Sequence, residues 1–512
     1  MVAKAFGGAL YGVDARTIMV EVSVGQGTKF FMSGLPDSAV KESQHRVESA
    51  LKSCGFFMPR NKTVVNLAPA DLRKEGSSYD LPIALCVLQA SGQLNTEMLE
   101  QYLIMGELTL DGALRPIRGV LSMAIHARRQ HFRGFLLPPD NAREAAVVDG
   151  LEIIAIGSLS EAVAFLRGKL GIEPVRTDVR ELFSSQPSVY DADFKEVQGQ
   201  ENIKRSMEIA AAGGHNLIMI GPPGAGKTML AKRLPTILPP MTLQEALETT
   251  KIHSVAGRLG REGTLVRTRP FQSPHHSISD IALVGGGSHP QPGEISLANN
   301  GVLFLDELPE FRRSALEVMR QPMEQRRVTI SRARISVEYP ANFMLVASMN
   351  PCPCGYYNHP ERQCVCGPGV VHRYLNRISG PLLDRIDLHV EVVPVSFDQM
   401  VSRREPESSD TIRKRVVLAR EIQLQRFENY EGVYCNAMMA PGTVKKVCKV
   451  DDSGHKLLRS AINNFGLSAR AYDRILRVSR TIADLDRKLE IGSDHLAEAI
   501  TYRSLDRESW SH

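Results

Sequence analysis

Gly221, Pro222, Pro223, Gly224, Ala225, Gly226, Lys227 and Thr228 form a run whose residue types suit a chain of phosphates. Gly224 and Gly226 let backbone N–H groups turn inward, and the helix expected to follow aims its partial positive charge at the same place. Lys227 is positioned to neutralise β- and γ-phosphates, and the Thr228 hydroxyl to hold Mg²⁺. The strand pattern Leu217-Ile-Met-Ile runs straight into this loop and a helical pattern leaves it, the setting a P-loop requires. Further along, the apolar run Gly301-Val-Leu-Phe-Leu ends in Asp306 and Glu307. Asp306 suits Mg²⁺ through water, and Glu307 is placed as a general base for the attacking water. An acidic strand end alone is as readily structural; following a P-loop, it reads as a Walker B motif. The two motifs predict binding and hydrolysis of ATP with Mg²⁺.

Two further clusters carry chemistry. Cys352-Pro-Cys354 and Cys364-Val-Cys366 bracket a polar, turn-prone stretch. Four thiolates on one short loop suit a tetrahedral structural Zn²⁺, which favours sulfur and needs no redox change. The C-x-C spacing is tighter than the commoner C-x₂-C, and His359 competes as a ligand; reduced structural cysteines or a redox pair are the other readings. Cys54, Cys86, Cys435 and Cys448 are scattered and read as apolar filler. In Arg326-Arg-Val-Thr-Ile-Ser-Arg332-Ala-Arg334-Ile-Ser-Val-Glu-Tyr-Pro, two alternating segments flank a basic tip, which predicts a β-hairpin. Arg332 and Arg334 are candidate DNA contacts, cations that grip phosphates without reading bases. A solvated basic turn is the competing reading.

These residues need elements to hold them. Residues 193–395 alternate strand and helix patterns, as a parallel-sheet nucleotide-binding core does, and 396–512 are helical throughout, an expected lid. Residues 1–168 mix short apolar runs with helix-like stretches, an α/β or α+β domain, and 169–192 read as a linker. The predicted class is therefore α/β. At 512 residues with 43% hydrophobic and 23% charged side chains, the chain has ordinary globular composition for two to four domains. A net charge of +5 is compatible with a polyanionic partner without identifying one. No run of about 18 apolar residues exists, so no membrane partner is expected. Eight cysteines in such a chain do not form a secreted framework, and the N-terminus lacks an export pattern; a cytoplasmic location is expected.

With both motifs in place, the chain resembles AAA+ ATPases. The third strand, Phe343-Met-Leu-Val-Ala-Ser-Met-Asn350, ends in an amide that resembles sensor 1, the residue orienting water beside the γ-phosphate. Gly380-Pro-Leu-Leu-Asp-Arg385-Ile-Asp387 resembles the segment that delivers an arginine finger into a neighbouring subunit. In Leu467-Ser-Ala-Arg470-Ala-Tyr-Asp-Arg474, Arg470 resembles sensor 2. For both arginines a salt-bridged surface residue is the alternative. A finger requires side-by-side protomers, and the resemblance implies a homo-hexameric ring.

The long stretch between the Walker motifs, with Pro270-Phe-Gln-Ser-Pro-His275-His276-Ser-Ile-Ser-Asp280 and Leu283-Val-Gly-Gly-Gly287, precedes the hairpin. This arrangement resembles the branch shared by magnesium chelatases and MCM helicases. Ser348-Met-Asn-Pro-Cys-Pro-Cys-Gly355 and Arg474-Ile-Leu-Arg-Val-Ser-Arg-Thr-Ile-Ala-Asp484 are similar to the magnesium-chelatase-like ComM/YifB family, over nearly the whole chain. That resemblance implies an ATP-driven DNA helicase acting on single-stranded and branched DNA, promoting branch migration as incoming strands integrate in natural transformation or recombination. His275 and His276 either line a pore or a nucleotide-side loop, or are structural.

The N-terminal block, with Leu72-Arg-Lys-Glu-Gly-Ser-Ser78 and Gly106-Glu-Leu-Thr-Leu-Asp-Gly-Ala-Leu-Arg-Pro-Ile-Arg-Gly119, resembles the Lon proteolytic domain. Ser78 falls at the nucleophile's place, but the position of the partner lysine is Leu121, which offers no base. A scaffold or DNA-contacting role is expected, unless Lys74 supplies the amine. Two other classes compete with the translocase: the motor subunit of a Mg or Co chelatase, which needs a separate porphyrin-binding subunit and an integrin-like partner, neither region being shown by this chain, and an ATP-dependent protease, which the missing lysine opposes.

Overall fold

Two burial patterns divide the strands. From Asp14 to Gly25 buried and half-exposed residues alternate, with Ile18, Val20 and Val22 turned inward, as in a sheet covered on one face. In Leu217–Ile220, Val302–Leu305 and Met344–Met349 every residue is buried, the pattern of central strands covered on both faces. The computed structural model describes residues 2–179, 183, 190–259, 265–287, 290–332, 335–359, 361–395 and 406–503.

The chain forms two compact units, and neither is contiguous in sequence. The first comprises Met1–Pro187, Leu243–Arg267 and Ser331–Tyr339. Its seven-stranded sheet has the order Phe30–Ser33, Lys62–Ala68, Asp14–Gly25, Val2–Tyr11, Tyr102–Ile104, Gly134–Leu137 and Glu152–Ala155. The two long strands run antiparallel, and the last three continue in parallel from Val2–Tyr11. Two later segments join this unit by specific bonds. Ser254, in the helix Leu243–Val255, donates its hydroxyl to Glu144. Tyr11 Oη donates to the Ser336 carbonyl at 2.8 Å.

The second unit comprises Ser188–Thr242, Thr268–Ile330 and Pro340–His512. Its sheet is fully parallel, in the order Phe271–Gln272, Val302–Leu305, Met344–Met349, Leu217–Ile220, Leu388–Glu391. The P-loop strand is thus second from one edge, and its neighbours deliver their C-terminal ends to the same side. Helices Ser409–Arg426, Pro441–Val447, Asp452–Phe465, Ala469–Leu485 and Ser493–Thr501 make up the C-terminal part. Three begin at side-chain caps, Ser408, Asp451 and Ser468, each accepting a backbone N–H of the first turn. Arg420 and Gln423 donate to the Ala211 and Ala212 carbonyls, satisfying the C-terminal end of helix Glu201–Gly213. One apolar core runs from Met207 and Leu217 to Ile475 and Leu496 and joins these helices to the sheet.

Strands Arg327–Arg332 and Ile335–Pro340 pair as the expected hairpin. Arg332 ends the first strand, while Arg334 at the tip lies outside the described residues. The α/β class expected from the sequence holds. Among the described residues no helix is long and apolar enough to cross a membrane.

Candidate nucleotide site and cysteine centre

Parallel pairing brings three strand ends together. Leu305 stands opposite Ala347, so Asp306 emerges beside Ser348, and Ile220 stands opposite Met349, so Gly221 emerges beside Asn350. Gly226 caps the helix Lys227–Ile237 with φ 84°, in the left-handed region that a side chain would strain. That turn points the helix N-terminus into the loop. Lys227 Nζ donates to the carbonyls of Gly221 (2.7 Å) and Pro222 (2.9 Å) and to Asn350 Oδ1 (3.0 Å). Burial lowers the Lys227 pKa, while the charges of Asp306 and Glu307 oppose that shift.

Thr228 Oγ1 donates to Asp306 Oδ2 at 2.7 Å, and Ser348 Oγ donates to Asp306 Oδ1. The carboxylate is therefore oriented on both oxygens. A hydroxyl and a carboxylate at this separation are hard oxygen donors of the kind Mg²⁺ takes, so the residues fit that ion. Glu307 has φ 55° and an exposed side chain, with His276 Nδ1 3.6 Å from its Oε2. His275 and His276 stack with ring centroids 4.0 Å apart.

The structure thus gathers Lys227, Thr228, Asp306 and Asn350, with Glu307 at their edge. Arg385 makes its contacts elsewhere. Arg385 is buried, paired through Nη2 with Glu324 Oε1 at 2.5 Å, and donates through Nη1 to the Pro381 carbonyl at 2.6 Å. Arg470 is exposed in the first turn of helix Ala469–Leu485, near enough for its charge to act on Arg385. Asp387, in the same segment as Arg385, is fully buried and bound by Arg474 and by the backbone N–H of Asn216 at 2.9 Å. Burial alone would raise its pKa; Arg474 and His215 override that and hold it far below the carboxylate range.

Sequence reading passed over Ser348, Glu324 and the Asp387–Arg474 pair. A signal existed for Ser348: a lone hydroxyl in an otherwise apolar strand, two positions from Asn350 and so on the same face.

The four cysteines converge. Cys352 Sγ lies 3.3 Å from Cys354 Sγ and 3.7 Å from Cys364 Sγ, Cys354 to Cys364 is 3.5 Å, and all four sulfurs lie within 4.8 Å of one another. A tetrahedron with metal–sulfur bonds of about 2.3 Å has edges of about 3.8 Å, so the set fits a four-thiolate metal. All four are free thiols. His359 is engaged otherwise, its Nδ1 accepting from the Glu361 and Arg362 backbone N–H groups at 3.1 Å each. The cysteine loop abuts the phosphate loop: a Cβ on Gly355 would meet Pro223 Cδ at 2.4 Å.

In the first unit, Leu121 is fully buried and its N–H donates to Glu144 at 2.9 Å. The buried Lys74 donates to the Pro69 carbonyl, and burial lowers its pKa.

Comparison with known proteins agrees with this architecture. Residues 193–400 match the family described as magnesium chelatase, subunit ChlI; residues 20–141 match subunit ChlI of Mg-chelatase, and 406–503 its C-terminal part. The YifB protein of Escherichia coli K12 is 44% identical over 503 residues, covering 98% of this chain and 96% of the relative. The competence protein ComM of Haemophilus influenzae is 44% identical over 503 residues, 98% of this chain and 97% of its own. The 38 kDa magnesium-chelatase subunit of Rhodobacter capsulatus is 24% identical over 344 residues, 60% of this chain and 85% of its own. Matched along nearly its whole length by proteins of this kind, and carrying a ChlI-type AAA+ core, the chain belongs to the ComM/YifB family of magnesium-chelatase-like proteins.

Proposed function

We propose that the protein is an ATP-driven, ring-forming DNA translocase that promotes branch migration while incoming DNA is integrated. The observation that carries the reading is the convergence of Lys227, Thr228, Asp306 and Asn350 on one end of a parallel sheet. In it, Lys227 holds the β- and γ-phosphates and Thr228 and Asp306 hold Mg²⁺, which supplies charge neutralisation. Glu307 polarises the attacking water, Asn350 orients it, and Arg470 senses nucleotide from the lid. Arg385 acts on the neighbouring protomer's γ-phosphate, so hydrolysis needs a ring, a homo-hexamer in this reading.

The basic hairpin carrying Arg332 and Arg334 grips phosphates of single-stranded or branched DNA within the ring. The relative named for competence, matched over 97% of its length, supports a role in DNA uptake or recombination. In this reading Cys352, Cys354, Cys364 and Cys366 hold a structural Zn²⁺ that braces the loop after Asn350. The N-terminal unit, Lon-like in its motifs, serves as a scaffold. The matches to magnesium-chelatase subunits favour a second reading, the motor of a metal chelatase. The test is migration of a three-stranded DNA junction with ATP by the parent chain and by Lys227→Ala. Movement by the parent and none by the variant supports the translocase. An ATPase indifferent to DNA but stimulated by chelatase partner subunits supports the alternative.

A further inference from the structure

The guanidinium assigned to the neighbouring subunit's phosphate is held against its own chain. Arg385 is 8% exposed at its side chain, its two terminal nitrogens are taken by Glu324 and Pro381, and its Nε is buried without a hydrogen-bond partner. Burial pushes its pKa below the ordinary value; Glu324 opposes that, and the charges of Arg320 and Arg470 add to it. Desolvated and under the charge of two other cations, this guanidinium is held by one carboxylate and one backbone carbonyl, and the carboxylate alone offsets its charge. Glu324 itself is half exposed, at 52%. Water is at hand to take over the carboxylate when the pair parts.

The position of Glu324 in the chain matters as much as the bond. It lies at the end of helix Arg320–Gln325, directly ahead of the hairpin strand Arg327–Arg332. The residue between them, Arg326, has φ 55° and donates its N–H to the Pro322 carbonyl at 2.8 Å. Its own carbonyl accepts from Ala341 N–H at 2.9 Å, so the base of the hairpin is tied across both strands. Arg326 Nη1 also reaches Asn342 Oδ1 at 3.3 Å. The base so closed lies two residues from Glu324, at the end of the same helix.

We propose that Glu324 is a positioning residue for Arg385: it parks the guanidinium in its own subunit, and displacement of the hairpin by DNA draws the carboxylate away and frees the guanidinium for the neighbour's γ-phosphate. The inference rests on the arginine-finger and DNA-hairpin assignments made above and adds the link between them. No bond is made or broken covalently; the change is an exchange of ion-pair partners, from carboxylate to phosphate. Coupling arises because the hairpin displaced and the guanidinium parked cannot both be satisfied at once.

The experiment measures steady-state ATP hydrolysis by the full-length chain, with and without a single-stranded oligonucleotide, for the parent and for Glu324→Gln, Glu324→Asp and Arg385→Ala. Glu324→Gln is expected to raise the DNA-free kcat several-fold with KM for ATP unchanged, and to shrink the DNA stimulation ratio toward one. Glu324→Asp, which keeps the charge on a shorter arm, falls between Glu324→Gln and the parent. If Glu324→Gln matches the parent with and without DNA, or falls to the Arg385→Ala level in both, the parking role is overturned. Should Glu324→Gln melt early, Glu324→Asp decides: a raised DNA-free rate supports the proposal and a parental rate overturns it. Failure of the underlying reading looks different: Arg385→Ala then hydrolyses ATP at the parental rate, whatever the Glu324 variants do.

Discussion

Arg474, on the helix Ala469–Leu485, donates to the buried carboxylate of Asp387, in the same segment as Arg385. Asn216, at the head of the P-loop strand, ties the same carboxylate through its N–H and holds the Arg385 carbonyl through its side-chain amide at 3.0 Å. A C-terminal helix, the P-loop strand and the arginine segment therefore share one ion-pair centre. Removing one partner of a buried pair leaves an uncompensated charge or an empty donor.

Asp387→Asn is accordingly expected to destabilise the second unit by about 3–5 kcal/mol, read as a lowered urea midpoint. The pH dependence follows from the sign of the shift. Asp387 is held far below its unfolded value, so its contribution is fully present above about pH 4–5 and is lost only as pH falls further. The parent's advantage over Asp387→Asn should therefore be flat near neutrality and narrow in acid.

At the nucleotide site, substitutions should separate binding from turnover. Lys227→Ala is expected to abolish binding of a fluorescent ATP analogue. Glu307→Gln should retain binding while hydrolysis falls by about 10²–10⁴-fold. Thr228→Ala and Asp306→Asn should raise the Mg²⁺ concentration needed for half-maximal activity.

The cysteine centre predicts one Zn²⁺ per chain, measured by elemental analysis of protein purified without chelators. Cys352→Ser should lose the metal and cost roughly 3 kcal/mol of stability, at the upper end of ordinary single substitutions. Cys54→Ser, outside the cluster, should retain the full metal content.

For the hairpin, neutralising Arg332 and Arg334 together should weaken DNA binding for all sequences alike. The slope of log affinity against log salt should become less steep by about 0.7 for each single-strand phosphate that the protein no longer neutralises. A weakening confined to particular sequences would speak for base recognition instead.

Much of this was legible in the chain because it is local. The strands Leu217–Ile220, Val302–Leu305 and Met344–Met349 read as short, wholly apolar runs, and polar groups at their ends had to share one edge of a parallel sheet. The hairpin was legible from its alternation. What lay hidden is long-range. Glu324 and Arg385, or Asp387 and Arg474, are ordinary charged residues in sequence, and nothing local distinguishes a buried partner from a solvated one. Nor does local pattern announce that Leu243–Arg267 and Ser331–Tyr339 pack with the N-terminal unit, since their bonds, such as Ser254 with Glu144, are made far along the chain.

The proposed motor depends on a catalytic site shared between protomers, and mixing two variants expected to be inactive tests that most directly. Lys227→Ala keeps Arg385 but has no working pocket; Arg385→Ala keeps the pocket but supplies no arginine to its neighbour. Mixed in equal amounts in the presence of DNA, they should recover ATP hydrolysis at about a quarter of the interfaces of a head-to-tail ring. Recovery toward that level is the predicted result, and a mixture as inactive as its two components would contradict it.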